Sequence, residues 1–189
     1  MLNFSIVSMR IVMILMIIGV VLIPRCAIAA PPSHCKPEEF SVVDSWMGKV
    51  YATSGGWRNI GDGKFLSLCA DRKVEPFSRL VYRYGTLGQV ELEVVATPTS
   101  KFYTANRSTS PHTGDDIVFF KKDGYTYYVA IATGQGSGVS LIVFKGRKKV
   151  SEHFSGNEQG EDFQLGPAEI DFVSPISDVL SAGQPEHDF

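Results

Sequence analysis

Few residues of this chain have the types and spacing for acid–base or nucleophilic chemistry. The four histidines are His34, His112, His153 and His187. His112 stands in a polar stretch with two acids, "HTGDD", which holds Asp115 and Asp116. An imidazole beside two carboxylates suits the polar centre of a hydrolase or a metal-ligand set. Asp and Gly in a short polar stretch are more often turn chemistry. No catalytic residue, metal ion or cofactor is therefore assigned from the sequence.

Ser137 is the other candidate, in "VAIATGQGSGVSLIVFK" (Val129–Lys145). A nucleophile elbow needs glycine two positions before the serine, and Gln135 stands there. A phosphate cradle needs G-x-G-x-x-G opening a helix. Gly134, Gly136 and Gly138 are spaced G-x-G-x-G, and a strand pattern follows. What remains is a connection between two strands, either a plain connector or a loop raised for binding. Loops on a rigid sheet are where binding residues concentrate. The candidate binding residues are Gln135, Ser137 and Gly138, with Tyr125 and Tyr127 as exposed aromatic anchors beside the loop.

The elements that must hold these residues are strands. "RLVYRYG" sets Leu80, Tyr82 and Tyr84 on one face, and "QVELEVVA" sets Val90, Leu92 and Val94 against Glu91 and Glu93. Both are half-buried strands joined by "GTLG". Asp123-Gly124 between aromatic and β-branched runs predicts a type I′ hairpin. Gly146 predicts another turn, with a strand returning over Lys148–Phe154. At least six strands fall between about Lys64 and Phe154, which predicts a mainly β fold, an antiparallel sandwich or barrel. Pro37, Glu38 and Glu39 suit the first turn of a short helix. "WRNIGDGKFLSLCA" predicts a turn at Asp62-Gly63. The polar stretch from Pro98 to Asp116 reads as a long loop with a short strand at Lys101–Thr104.

The first 29 residues read as a cleaved signal peptide. Arg10 precedes the apolar run Ile11–Ile23, and Ala27 and Ala29 fit an A-x-A site. A retained N-terminal anchor is the alternative, although the run is short for a bilayer. Arg25 before Cys26 disfavours lipidation. Residues 30–175 then form one domain, and 176–189 a flexible acidic tail. Of 18 Lys and Arg, removing Arg10 and Arg25 leaves 16, against 20 Asp and Glu. A mildly acidic chain does not suit nucleic-acid binding through backbone charge. "KGRKK" (Lys145–Lys149) reads as a solvated turn, with a patch for acidic partners as the sharper alternative. Cys35 and Cys69 are expected to form a disulfide in an oxidising compartment, periplasmic or secreted.

The pattern "SLCADRK…YRYGTLGQVELE…DGYTYYV", with "GVSL" and a "KG" turn, resembles small exported bacterial proteins that carry a β domain without an assigned activity. The resemblance spans roughly Phe65 to Val150. "GQGSGVSL" resembles the loop of periplasmic lysozyme inhibitors, in which a Ser-Gly pair followed by a Tyr enters a lysozyme cleft. Ser137-Gly138 match, and Leu141 stands where S-G-x-x-Y places the Tyr. The resemblance implies a binding protein that blocks another protein, such as a cell-wall-degrading enzyme. Alternatives are a secreted hydrolase centred on His112, Asp115 and Asp116, and a structural envelope component. The balance falls against an enzyme.

Overall fold

This computed structural model describes residues 33–53, 56–73, 76–110, 113–134, 138–155 and 177–189, and these residues form ten strands. They are β1 (Phe40–Thr53), β2 (Gly56–Ala70), β3 (Leu80–Thr86), β4 (Gln89–Val95), β5 (Phe102–Ser110), β6 (Thr113–Lys122), β7 (Tyr125–Gly134), β8 (Gly138–Lys145), β9 (Lys148–Ser155) and β10 (Leu180–Ala182). β1 to β4 form an antiparallel meander. The second sheet runs β10-β5-β6-β7-β8-β9, with only the three-residue β10 parallel to its neighbour. Among the described residues the two sheets join along one side at a single pair, Gly48 opposite Phe154.

The sheets pack face to face as a sandwich. Period-2 alternation sends Val43, Met47, Leu66, Leu68, Tyr82 and Val94 inward from the first sheet. From the second sheet Phe102, Val118, Phe120, Val129, Ile131 and Leu141 meet them. Tyr82 lies 5.0 Å from Phe120, centroid to centroid, and Phe102 stacks on Phe120 at 4.4 Å. Asp123 and Gly124 have φ of 52° and 78°, the left-handed pair that a type I′ turn requires.

Three local expectations are corrected. Pro37–Glu39 form a turn closed by Glu39 N–H donating to Lys36 O at 2.9 Å, and the described residues contain no helix. Asp62-Gly63 do not turn the chain. The register passes from Met47–Lys64 to Gly48–Gly61, so they form a bulge within β2. The polar stretch expected as a loop is largely strand, because β5 and β6 pair from Tyr103–Phe119 to Ser110–Thr113. Its polar side chains pair across the strands, Asn106 with Asp116 at 2.7 Å and Arg107 with Asp115.

The segment expected as a flexible tail also has a defined place. β10 borders β5, and residues 183–189 lie on the outer face of the second sheet. The N-terminal segment 33–39 lies on the outer face of the first sheet. There Cys35 is bonded to Cys69, which fits an oxidising compartment. No helix among the described residues is long and apolar enough to cross a membrane.

Candidate functional site

Among the described residues, those singled out in the sequence do not converge. Gly138 opens β8 opposite Ala132. Gln135 and Ser137 lie outside the described residues. Tyr125 pairs with Lys145 at the other end of the same hairpin. Seven residues of strand separate Tyr125 from Ala132, roughly 23 Å at about 3.3 Å per residue. The tyrosines therefore lie toward the opposite end of the hairpin from Gly138.

Tyr125 and Tyr127 are also not freely exposed. Both point to the inner face and pack, half-buried, against the rim of the core. Tyr127 stacks on Phe120 at 5.1 Å. Burial raises the Tyr127 phenol above its ordinary range. On the other face Phe119, Tyr128 and Phe144 are buried, while Tyr103 of β5 is exposed. Tyr128 is fully buried beneath the C-terminal segment.

The hydrolase constellation is not assembled among the described residues. Asp115 is paired with Arg107 and Asp116 with Asn106. As strand neighbours the two acids face opposite sides of the sheet, and His112 lies outside the described residues. No group of three His, Cys, Asp or Glu among the described residues is arranged to hold a metal.

A second serine, histidine and aspartate do meet, in a place the sequence did not suggest. Ser67 Oγ donates to Asp44 Oδ1 and accepts the His34 backbone N–H at 2.9 Å. Ser33 Oγ also donates to Asp44, at 2.9 Å. Burial raises the Asp44 carboxyl above its usual range, against the hydrogen bonds from the serines. The His34 ring turns away, with Nε2 3.4 Å from Gly85 O and an edge-on contact to Phe65. A triad needs the imidazole between nucleophile and acid. Here the serine bonds the acid directly and is fully buried, so the cluster fastens the N-terminal segment to the sheet.

An ionic cluster lies beside it. Arg83 is 1 % exposed and donates to Glu39, to Glu93 at 2.6 Å and to His34 O at 3.2 Å. Arg79 also pairs with Glu39. Burial opposes the Glu39 charge, but donors from Arg83, the Lys36 backbone and Arg79 outweigh it and hold the carboxyl at about 2.

An exposed basic feature lies elsewhere among the described residues. The β6–β7 turn at Asp123-Gly124 and the β8–β9 turn at Gly146-Arg147 lie at the same end of the second sheet, because Tyr125 pairs with both Lys122 and Lys145. Six exposed cations flank these turns, distributed over both faces of the sheet: Lys121, Lys122, Lys145, Arg147, Lys148 and Lys149. Lys145 and Lys148 are directly opposed across the ladder. Acids offset part of this charge: Glu186 bonds Lys121 at 2.6 Å, Asp123 lies 3.6 Å from Lys122, and Glu152 pairs with Lys149. Lys145 Nζ sits 5.2 Å above the Tyr125 ring. "KGRKK" was legible as a basic turn, but its convergence with "KKDG" follows from strand register.

Comparison with protein-family models, curated proteins and solved structures yields no match.

Proposed function

We propose that this chain is an exported binding protein that blocks another protein by docking onto it, in the manner of an inhibitor or immunity protein. The observation that carries this reading is the basic end of the second sheet. Like charges directly opposed across a ladder destabilise it, so Lys145 facing Lys148 detracts from the fold. A complementary acidic surface would offset that cost. Tyr125, one of the expected anchors, supplies an aromatic body at the same place, as interface centres favour.

The partner chemistry that fits is an acidic cleft. Enzymes that hydrolyse the glycan of cell walls work through paired carboxylates, and a cationic turn pair complements such a cleft. Charge of this kind sets association rate and specificity more than raw affinity. The disulfide and the signal-like first 29 residues support export to the periplasm or beyond.

The test is inhibition. The oxidised mature protein is added to a panel of cell-wall glycosidases, and clearing of a cell-wall suspension is followed. At least one enzyme should be inhibited, less so at high salt. An Arg147→Glu, Lys148→Glu variant should lose at least tenfold in potency without any fall in melting temperature, since a carboxylate at position 148 would face Lys145 as an opposite charge. No inhibition across the panel, or equal inhibition by the charge-reversed variant, would overturn the reading.

A further inference from the structure

The outer face of β6, β7 and β8 is apolar, and one segment of the chain is seated on it. Ile117, Phe119, Tyr128, Ala130, Ile142 and Phe144 form a buried cluster separate from the inter-sheet core. The segment Gly183–Phe189 crosses it and is held by a series of directed contacts. Gly183 N–H donates to Thr104 O at 2.9 Å, extending the parallel pairing of β10 with β5. A side chain at position 183 would put its Cβ 2.8 Å from Phe119 Cζ, so the crossing requires glycine.

His187 is gripped on three sides. Its ring stacks on Phe144 at 3.9 Å. Nε2 lies 2.7 Å from Gly146 O, a pure acceptor, so Nε2 carries the hydrogen and donates. Nδ1 is hydrogen-bonded to the Tyr128 hydroxyl at 2.8 Å, and that oxygen accepts the Glu186 N–H at 3.2 Å. Glu186 reaches Lys121. Phe189 sets its ring 4.7 Å from Tyr128 with the Arg107 guanidinium 4.6 Å above it, and Arg107 also donates to the Phe189 main-chain oxygen. Asp115 positions Arg107 from below. A cleft of about 390 Å³ opens between this segment and β5, lined by Asn106, Arg107, Ile117, Gln184 and Phe189 among others.

These contacts are those of a bound peptide: short strand addition, a ring in an aromatic slot, a guanidinium on a backbone oxygen, and an acid on a surface lysine. The geometry points to a peptide-recognition groove on the outer face of β6–β8, occupied in cis by Gly183–Phe189. Its ligand is a segment of another polypeptide with the same chemistry, an acidic residue followed three positions later by an aromatic one. The groove stands apart from the inhibitor reading, since neither requires the other.

A tethered occupant competes at an effective concentration on the order of millimolar. A free peptide should therefore bind weakly until the cis segment is weakened. The probe is a labelled, N-acetylated peptide of sequence GQPEHDF, followed by fluorescence anisotropy with the full-length protein. Phe189→Ala should bind it at least tenfold more tightly than the unaltered chain. A peptide with its Phe replaced by Ala should lose that gain. Equal binding by the two proteins, or by the two peptides, would overturn the proposal. If Phe189→Ala does not fold, the unaltered protein decides by NMR: peptide at about 10 mM should shift the Glu186 and Phe189 amides toward free-chain positions. Unmoved amides at that concentration would overturn it.

Discussion

Each sheet of the sandwich has its outer face crossed by a strap, and the two straps are held by different physics. Residues 33–39 cross the first sheet and are fixed by the Cys35–Cys69 bond, the Glu39–Arg83 pair and the Asp44–Ser67–His34 cluster. Residues 183–189 cross the second sheet through ring contacts, a histidine relay and Arg107. The one lysine–glutamate pair of this strap, Lys121–Glu186, has both side chains about 60 % exposed. Exposed pairs of that kind contribute little. The first strap is thus covalently closed and ionically buried, whereas the second is a set of separable contacts. The first behaves as part of the fold; the second has the properties of an exchangeable ligand.

The largest effect should come from opening the ionic lock. Arg83→Met removes the cation from two carboxylates, one of them, on Glu39, only 2 % exposed. Removing one partner of a buried pair typically costs about 3–5 kcal/mol, and because Glu39 keeps its pair with Arg79 the loss should fall toward the lower end of that range. Chemical denaturation of the oxidised protein should show a loss of that size with the slope unchanged. A loss below about 1 kcal/mol would mean that the N-terminal strap is no better fastened than the C-terminal one.

Acid should release the same lock with a known sign. The Glu39 carboxyl sits at about 2 in the fold against 4.5 ordinarily. Its contribution is complete above pH 4.5 and is lost as pH falls from there toward 2, up to about 3 kcal/mol by linkage. Asp71, held at about 2 by hydrogen bonds from Ser78, Arg79 and Arg72 against its burial, titrates in the same window. Asp44 acts in the opposite direction: burial raises its carboxyl, so protonating it favours the fold. Glu39→Gln should be less stable at neutral pH and should flatten the decline between pH 4.5 and 2. An unchanged slope would place the acid sensitivity elsewhere.

The sandwich was legible where one face of a strand is apolar and a tight turn follows, as at Leu80–Val95 and Phe119–Phe144. It was not legible at Asn106–Asp116, where cross-strand partners satisfy the polar side chains and the strand therefore has no apolar period. The tyrosines of β7 misled for a related reason. Large aromatics on both faces imply an exposed strip only if one face is open to water. Here the first sheet covers Tyr127 and the C-terminal strap covers Tyr128. The partners of that strap lie 41 to 82 residues away in sequence, a separation no local pattern reports. Cys35 and Cys69 were legible because an exported-looking chain with two remaining cysteines offers one intramolecular pairing.

The smallest effect distinguishes the straps without unfolding either. Amide exchange through local opening reports the free energy of each segment separately. His34 N–H is bonded to Ser67 Oγ under the disulfide, and Glu186 N–H to the Tyr128 hydroxyl under the aromatic strap. In the oxidised protein the His34 amide should exchange at least tenfold more slowly than that of Glu186, after correction for intrinsic rates. Reduction removes a cross-link spanning 34 residues, a constraint of about 3–4 kcal/mol in the chain-entropy account. Under conditions where the reduced protein stays folded, His34 exchange should rise toward the Glu186 rate while Glu186 hardly changes. If both amides accelerate together, the two straps open as one cooperative unit and the second is not separately exchangeable. If only His34 responds, the sandwich holds one face closed by covalent chemistry and leaves the other closed by contacts that a second chain can replace.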